Sequence, residues 1–220
     1  MRLVVFDLDG TITYRDTLFP YVTGFLARSG RSRLRLARLV PALLAFALGA
    51  ADRGAVKSTL IRATLGGATR SRLQAWTDEF VPWVVAQGCS PGALDMVKAH
   101  REAGDRLVLM SASTDLYVPQ LGAALGFQEV ICTGVAFDAA GRLDGALTTP
   151  NRRAAEKVRC FQALHQQHPG LQTVAYGNAR SDLAHLVLAD QPRLVNASPA
   201  TRRQASALGL KPFANWNAAR

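Results

Sequence analysis

Two carboxylates end the first apolar run of this 220-residue chain: Leu3-Val4-Val5-Phe6 leads into Asp7, Leu8, Asp9, Gly10 and Thr11. More polar groups follow at a distance. Ser111 comes directly after Leu-Val-Leu-Met, Lys157 lies in Ala-Ala-Glu-Lys-Val, and Asn178 and Asp182 follow Thr-Val-Ala-Tyr-Gly. Taken singly, each has an ordinary explanation: a turn acid, a helix-capping serine, a solvated lysine. Their order, and their repeated placement just beyond apolar runs, is much harder to obtain by accident. The residue types suit phosphoryl chemistry. That reaction asks for an in-line nucleophile, neutralisation of the equatorial oxygens and a proton for the leaving alcohol. Carboxylates, a hydroxyl and an ammonium can supply all three.

For these groups to meet, the elements carrying them must end on one edge of one sheet. The runs at 2–8, 106–113, 129–137, 171–178 and 192–198 are apolar and rich in β-branched residues. They read as strands buried on both faces. Helical patterns at about 91–103, 115–125, 152–167, 180–189 and 199–208 lie between them. This alternation predicts an α/β fold, a Rossmann-like, doubly wound parallel sheet. Ligands of such sheets bind beyond the carboxyl ends of the strands, where Asp7, Asp9, Ser111, Asn178 and Asp182 fall. The stretch 137–147 reads as a hairpin or flap, with turns at Ala140-Gly141 and Asp144-Gly145. Residues 15–88 lack strands and read as several helices, broken at Asp52-Arg53-Gly54 and at Gly66-Gly67. The expected organisation is an α/β core of 1–14 and 89–220 with a helical cap inserted at 15–88.

An apolar fraction of 49% supports a real core, and a formal net charge of +10 favours acidic partners. Those could be phosphorylated metabolites or an anionic membrane surface, or the charge could be a solvated basic face. The arginines are not interleaved with aromatics and no nucleic-acid motif is present, so no nucleic acid is expected. Cys89, Cys132 and Cys160 are widely spaced, without zinc spacing, and read as free thiols in a reducing compartment. Acids at position 7 read against a signal peptide. The expected location is cytoplasmic, with peripheral membrane contact as a variant of it.

DLDGT at 7–11, then Ser111, Lys157 and GNARSD at 177–182, resemble the ordered motifs of the haloacid dehalogenase superfamily. The helical insertion, with LDGALTTPNRRAAEKV before the lysine, resembles its phosphoserine-phosphatase-like branch. The resemblance implies a Mg2+-dependent phosphomonoesterase that works through an aspartyl-phosphate. Asp7 is then the nucleophile. Asp9 protonates the leaving oxygen and later activates water. Gly10 and Thr11 shape the phosphate loop, and Ser111, Ala112 and Lys157 contact the phosphoryl group. Asp7, Asp9, Asn178 and Asp182 are the implied Mg2+ ligands. One position departs from the family pattern, which usually has aspartate directly after the motif glycine. Asn178 carries no charge, so weaker metal binding is expected.

In this branch the insertion covers the active site and sets substrate choice. By resemblance, an acid about nine residues past the nucleophile faces a substrate amine, and Asp16 occupies that place. Arg62 is the nearest candidate for the arginine that clamps a substrate carboxylate. Arg28, Arg31, Arg33, Arg35 and Arg38 precede an apolar run from Leu39 to Ala51. That run is shorter than the roughly 20 residues a membrane span needs. It reads first as a buried cap helix with a solvated arginine flank, and second as an interfacial segment. The second reading resembles phosphatidylglycerophosphatase members of the branch. The expected substrate is therefore a small phosphorylated metabolite, with a lipid phosphate as the alternative. A non-catalytic phosphoryl-binding regulatory protein is a third reading, and Asn178 is its only support.

Overall fold

In the computed structural model, which describes residues 1–217, Leu3–Phe6 forms β1 in the interior of a six-stranded sheet. Its side chains alternate between two cores, as the strand period requires. Val4 and Phe6 belong to one hydrophobic layer, Leu3 and Val5 to the other. Strands β2 (Arg106–Thr114) and β6 (Thr173–Gly177) flank it, in registers that set Phe6 beside Leu109 and Tyr176. With β3 (Glu129–Thr133), β7 (Gln191–Val195) and β8 (Pro212–Ala214) the order is β3-β2-β1-β6-β7-β8. Every pairing in this sheet is parallel, so all carboxyl ends share one edge.

Helices α5 (Pro91–Glu102) and α6 (Val118–Leu125) cover the Phe6 face. Helices α7 (Ala155–Gln167), the short α8 (Leu183–Leu186) and α9 (Pro199–Ala207) cover the Leu3 face. This is the doubly wound α/β arrangement expected from the sequence.

Three local expectations differ from what forms, and one short strand was not expected. The run at 129–137 is not one strand. The Gly134 N–H goes to Thr149 Oγ1 (2.9 Å) and the Val135 N–H to the Asp115 carboxylate (3.2 Å). With those donors diverted, the ladder stops, and Val135–Phe137 becomes β4, antiparallel to β5 (Leu143–Leu147). In that hairpin Ala140-Gly141 does turn, its backbone held by Asp138 Oδ1. Gly145, however, lies inside β5 with φ +90°, and a Cβ there would come within 2.8 Å of the Arg62 backbone N. It serves a close approach of chains and not a turn. The helix expected at 180–189 shrinks to α8, because Asp182 Oδ2 accepts from the N–H groups of Asn178 and Ala179 and holds the preceding loop bent. The edge strand β8, three residues long and opening on Pro212, had no signal above its neighbours.

Residues 18–88 are helical throughout their ordered elements: α1 (Leu18–Arg28), a 3-10 segment (Arg33–Leu39), α2 (Val40–Ala47), α3 (Arg53–Leu65), α4 (Arg70–Trp83) and a π turn (Val84–Gly88). The two connections to the sheet pair with each other. Tyr14 N–H donates to Gly88 O and Ser90 N–H to Ile12 O, both at 2.9 Å. Asp52 caps α3 by accepting from the Ala55 N–H. The β4–β5 hairpin is stitched to α3: Ser58 Oγ donates to Gly145 O (2.8 Å) and Arg62 Nε to Asp144 O (3.1 Å).

The reading of the apolar run as a buried helix is corrected here. Helix α2 has no buried residue. Ala42 and Ala45 are half-buried, while Leu43, Leu44, Phe46, Ala47 and the following Leu48 are exposed. Among the described residues no helix is long and apolar enough to cross a membrane.

Candidate active site

A cavity of about 390 Å³ opens beyond the carboxyl ends of β1, β2 and β6. Asp7 lies on its floor, one residue past β1, and its N–H still pairs with Tyr176 O at 3.0 Å. The sheet thus grips the backbone of this residue directly. Asp7 Oδ1 accepts from Lys157 Nζ at 2.6 Å and Oδ2 from Thr11 Oγ1 at 3.0 Å. Lys157 also donates to Asp182 Oδ1 at 2.7 Å, so one ammonium joins two carboxylates. All three side chains are buried.

The electrostatics follow from that burial. Desolvation pushes Asp7 up to about 7, against the pull of Lys157 and with help from the negative charges of Asp182 and Asp9. Burial alone would lower Lys157, but its two carboxylates more than reverse this and raise it. Burial would raise Asp182, but Lys157, His185 and the Ala179 N–H hold it below the ordinary value.

Asp9 faces the same cavity. Its Oδ1 accepts from both the N–H and the Oγ1 of Thr17 (2.8 and 2.7 Å), at the mouth of α1. Its Oδ2 accepts from Ser113 Oγ at 2.6 Å. Burial, then the charge of Asp16, push its pKa up against these hydrogen bonds. A carboxyl held this way retains a proton at higher pH than a free one, which suits an acid catalyst.

Around and just past Asp9 the chain turns sharply. The N–H groups of Thr11, Ile12 and Thr13 all fold back onto Leu8 O. Gly10 adopts φ +80°, and a Cβ there would lie 2.1 Å from Asn178 Nδ2. The loop therefore rests on the Asn178 amide, and Thr11 Oγ1 also comes within 3.4 Å of Asn178 Oδ1.

Of the residues singled out from sequence, Asp7, Asp9, Asp16, Ala112, Lys157, Asn178 and Asp182 line the cavity. Asp16 is exposed, with Oδ1 accepting from the Phe19 N–H. Ser111 is fully buried behind the wall, and its Oγ accepts from the Ser113 N–H. Ser113 is the hydroxyl at the cavity surface. Arg62 is absent from the lining and pairs instead with Asp144 of the hairpin at 3.5 Å.

Lys57, Asn151 and Arg153 were not anticipated, yet they form the far wall. Lys57 Nζ, from α3, donates to Ala112 O and to Asn151 Oδ1, each at 2.5 Å. Burial lowers its pKa to about 8, although Asp9 and Asp16 work against that. Lys57 and Arg62 are five positions apart on α3, about 140° around the helix, so they point to different neighbours. One signal was present: Lys57 is the only lysine between residues 15 and 88. Asn151 and Arg153 come from the loop before α7, which enters its helix through Ala154 at φ 52°. A non-glycine residue in that conformation stores strain, and here it aims the loop and the first turn of α7 into one cavity.

The haloacid dehalogenase-like hydrolase family matches residues 4–186. The chain belongs to that family. Protein CicA of Caulobacter vibrioides is 32% identical over 205 residues, 90% of this chain and 88% of that protein. A Bordetella pertussis Tohama I protein of unknown function has 27% identity and a TM-score of 0.79, over 96% of this chain and 97% of that one. A phosphoserine phosphatase solved as a phospho-aspartyl intermediate analogue shares the fold at 14% identity, with a TM-score of 0.66 over 97% of this chain and 92% of that one. This hydrolase thus has the architecture of the phosphoserine-phosphatase-like phosphatases.

Proposed function

We propose that this hydrolase is a Mg2+-dependent phosphomonoesterase that passes the phosphoryl group through Asp7. The observation that carries the reading is the Asp7 carboxylate itself. It is buried at a strand end, held by Lys157 at 2.6 Å and by Thr11, on the floor of a cavity it shares with Asp9. The phospho-aspartyl analogue captured in a protein of the same fold supports it.

In the first step an oxygen of Asp7 attacks phosphorus in line with the ester oxygen. The ester P–O bond breaks, and Asp9 gives its proton to the departing alkoxide. In the second step the ionised Asp9 takes a proton from water, and the water oxygen attacks the phosphorus of the aspartyl-phosphate. The bond to Asp7 breaks, and inorganic phosphate leaves. Lys157 keeps Asp7 oriented and places positive charge on a phosphoryl oxygen. Thr17 and Ser113 fix the direction in which Asp9 presents its proton.

The donor set fits a hard divalent cation. Asp7, Asp9 and Asp182 outnumber the ammonium of Lys157, and every available donor is oxygen. Among the described residues no three His, Cys, Asp or Glu side chains form a metal centre by themselves, so the Asn178 amide and main-chain oxygen have to take part. Asp7, Asp9, Asn178 and Asp182 would hold Mg2+, which supplies positive charge between nucleophile and phosphate.

Residues 15–88 act as the cap. Beyond the phosphoryl site the cavity carries Lys57, Arg53 and Arg153 beside an apolar wall that includes Phe19 and Leu60. That pairing favours a phosphorylated metabolite with a second anionic group. The test is Asp7→Asn, which keeps shape and removes the attacking charge. The folded variant should release no phosphate, and beryllium fluoride should occupy the wild-type site as an aspartyl-phosphate mimic. Full turnover by folded Asp7→Asn protein ends the assignment.

A further inference from the structure

Helix α2 presents its large side chains to solvent. Val40, Leu43 and Leu44 share one stripe at i, i+3 and i+4, and they are 52%, 49% and 59% exposed. Leu34 in the preceding 3-10 segment and Leu48 just past the helix are 82% and 83% exposed. Isolated exposed leucines need no explanation, but a stripe of three apolar residues on one helix, with further exposed leucines on the segment packed against it and just beyond its end, marks an interaction surface.

The charge around the group is of one sign. No Asp or Glu occurs between Thr17 and Ala51. Of the five arginines before the helix, two are committed elsewhere. Arg28 pairs with Glu79, and Arg31 donates to Thr64 O and Gly66 O. Arg33, Arg35 and Arg38 lie on the 3-10 segment that packs against α2, and Arg53 stacks over Phe46 at 5.3 Å. The patch is also continuous with the catalytic cavity, since Leu43 and Phe46 line its mouth.

We propose that α2 and its arginines dock this hydrolase on an anionic phospholipid bilayer, with the cavity mouth turned toward that surface. An eight-residue helix is about 12 Å long, so it lies in the interface and does not span. Its leucines enter the head-group boundary while Arg33, Arg35 and Arg38 meet lipid phosphates. A second copy is disfavoured as the occupant, because it would set arginines against arginines. An uncharged apolar partner leaves those arginines without acids.

The test is sedimentation of the full chain with vesicles, once with phosphatidylglycerol and phosphatidylcholine and once with phosphatidylcholine alone. Binding is expected only to the anionic vesicles, and it should weaken at high salt. Two variants avoid the cavity lining: Leu34→Ser with Leu44→Ser and Leu48→Ser, and Arg33→Gln with Arg35→Gln and Arg38→Gln. Each should lower partitioning by about a hundredfold and leave turnover of p-nitrophenyl phosphate unchanged. The Asp7→Asn protein should bind vesicles like wild type, so loss of the catalytic reading and loss of the docking reading are separable. Wild-type protein that ignores anionic vesicles overturns the proposal. So does a dimer in solution that the leucine variant dissociates, because the patch is then covered by a second copy.

Discussion

Replacing Lys157 and replacing Asp7 should move the stability of the metal-free protein in opposite directions. Lys157 Nζ lies 2.6 Å from Asp7 and 2.7 Å from Asp182, with all three groups buried. Methionine at 157 leaves two buried carboxylates with no cation between them. Removing one partner of a buried pair costs about 3–5 kcal/mol. In a domain of this size that lowers the unfolding midpoint by about 6–20 °C. Asp7→Asn relieves the same cluster of a charge. Burial holds Asp7 at about 7 where an ordinary carboxyl has 3.8. That gap, with the pull of Lys157 already counted in it, corresponds to at most about 4 kcal/mol. A gain of between about 1 and 4 kcal/mol is expected. The pH dependence has a definite sign. Between pH 3.8 and about 7 the folded state holds the Asp7 proton more firmly than the unfolded state does. Stability from this group therefore falls as pH rises through that window. The advantage of Asp7→Asn should be full at pH 8 and shrink at pH 5. Thermal unfolding followed by circular dichroism in EDTA at both pH values reads the effect. A Lys157→Met midpoint equal to wild type, or an Asp7→Asn protein less stable than wild type at pH 8, refutes the reasoning.

Two further outcomes follow from the same geometry. Gly10→Ala forces a Cβ to within 2.1 Å of Asn178 Nδ2 at φ +80°. Left-handed backbone costs about 1–2 kcal/mol, and a displaced loop can cost about a hundredfold in rate. Calorimetry should show a modest drop in midpoint, and steady-state kinetics a far larger loss in kcat/KM. Lys57→Met should raise KM for phosphate esters carrying a second anion by about tenfold or more and change kcat little. Because the Lys57 pKa is lowered to about 8, mainly by burial, wild-type KM for such esters should climb as pH passes that value. In the variant that inflection should be absent.

The local pattern of the chain was enough to place Asp7 and Asp9. A short apolar run rich in β-branched residues, as in β1, reads as a strand buried on both faces, and residues at its end are covalently bound to the sheet edge. The alternation of such runs with helical periodicity likewise carried the α/β class, because side-chain period is a property of neighbours in sequence. Asn178 and Asp182 were placed in the same way by the end of their own apolar run, but Lys157 was legible only through the order of motifs, since nothing near it says that its ammonium ends between two acids 150 and 25 positions away. The tertiary structure alone decided the rest of the cavity. Which of Lys57 and Arg62 faces Asp9 depends on the rotation of α3, and β5 sets that rotation by pressing Gly145 against its backbone. Ser113 instead of Ser111 reaches the cavity surface because β2 runs on to Thr114 before it ends. The exposure of α2 has the same origin. Apolar composition says that a segment prefers cover, but whether cover exists depends on what surface its neighbours leave, and here they half-cover Ala42 and Ala45, set Arg53 over the Phe46 ring, and leave Val40, Leu43 and Leu44 to solvent.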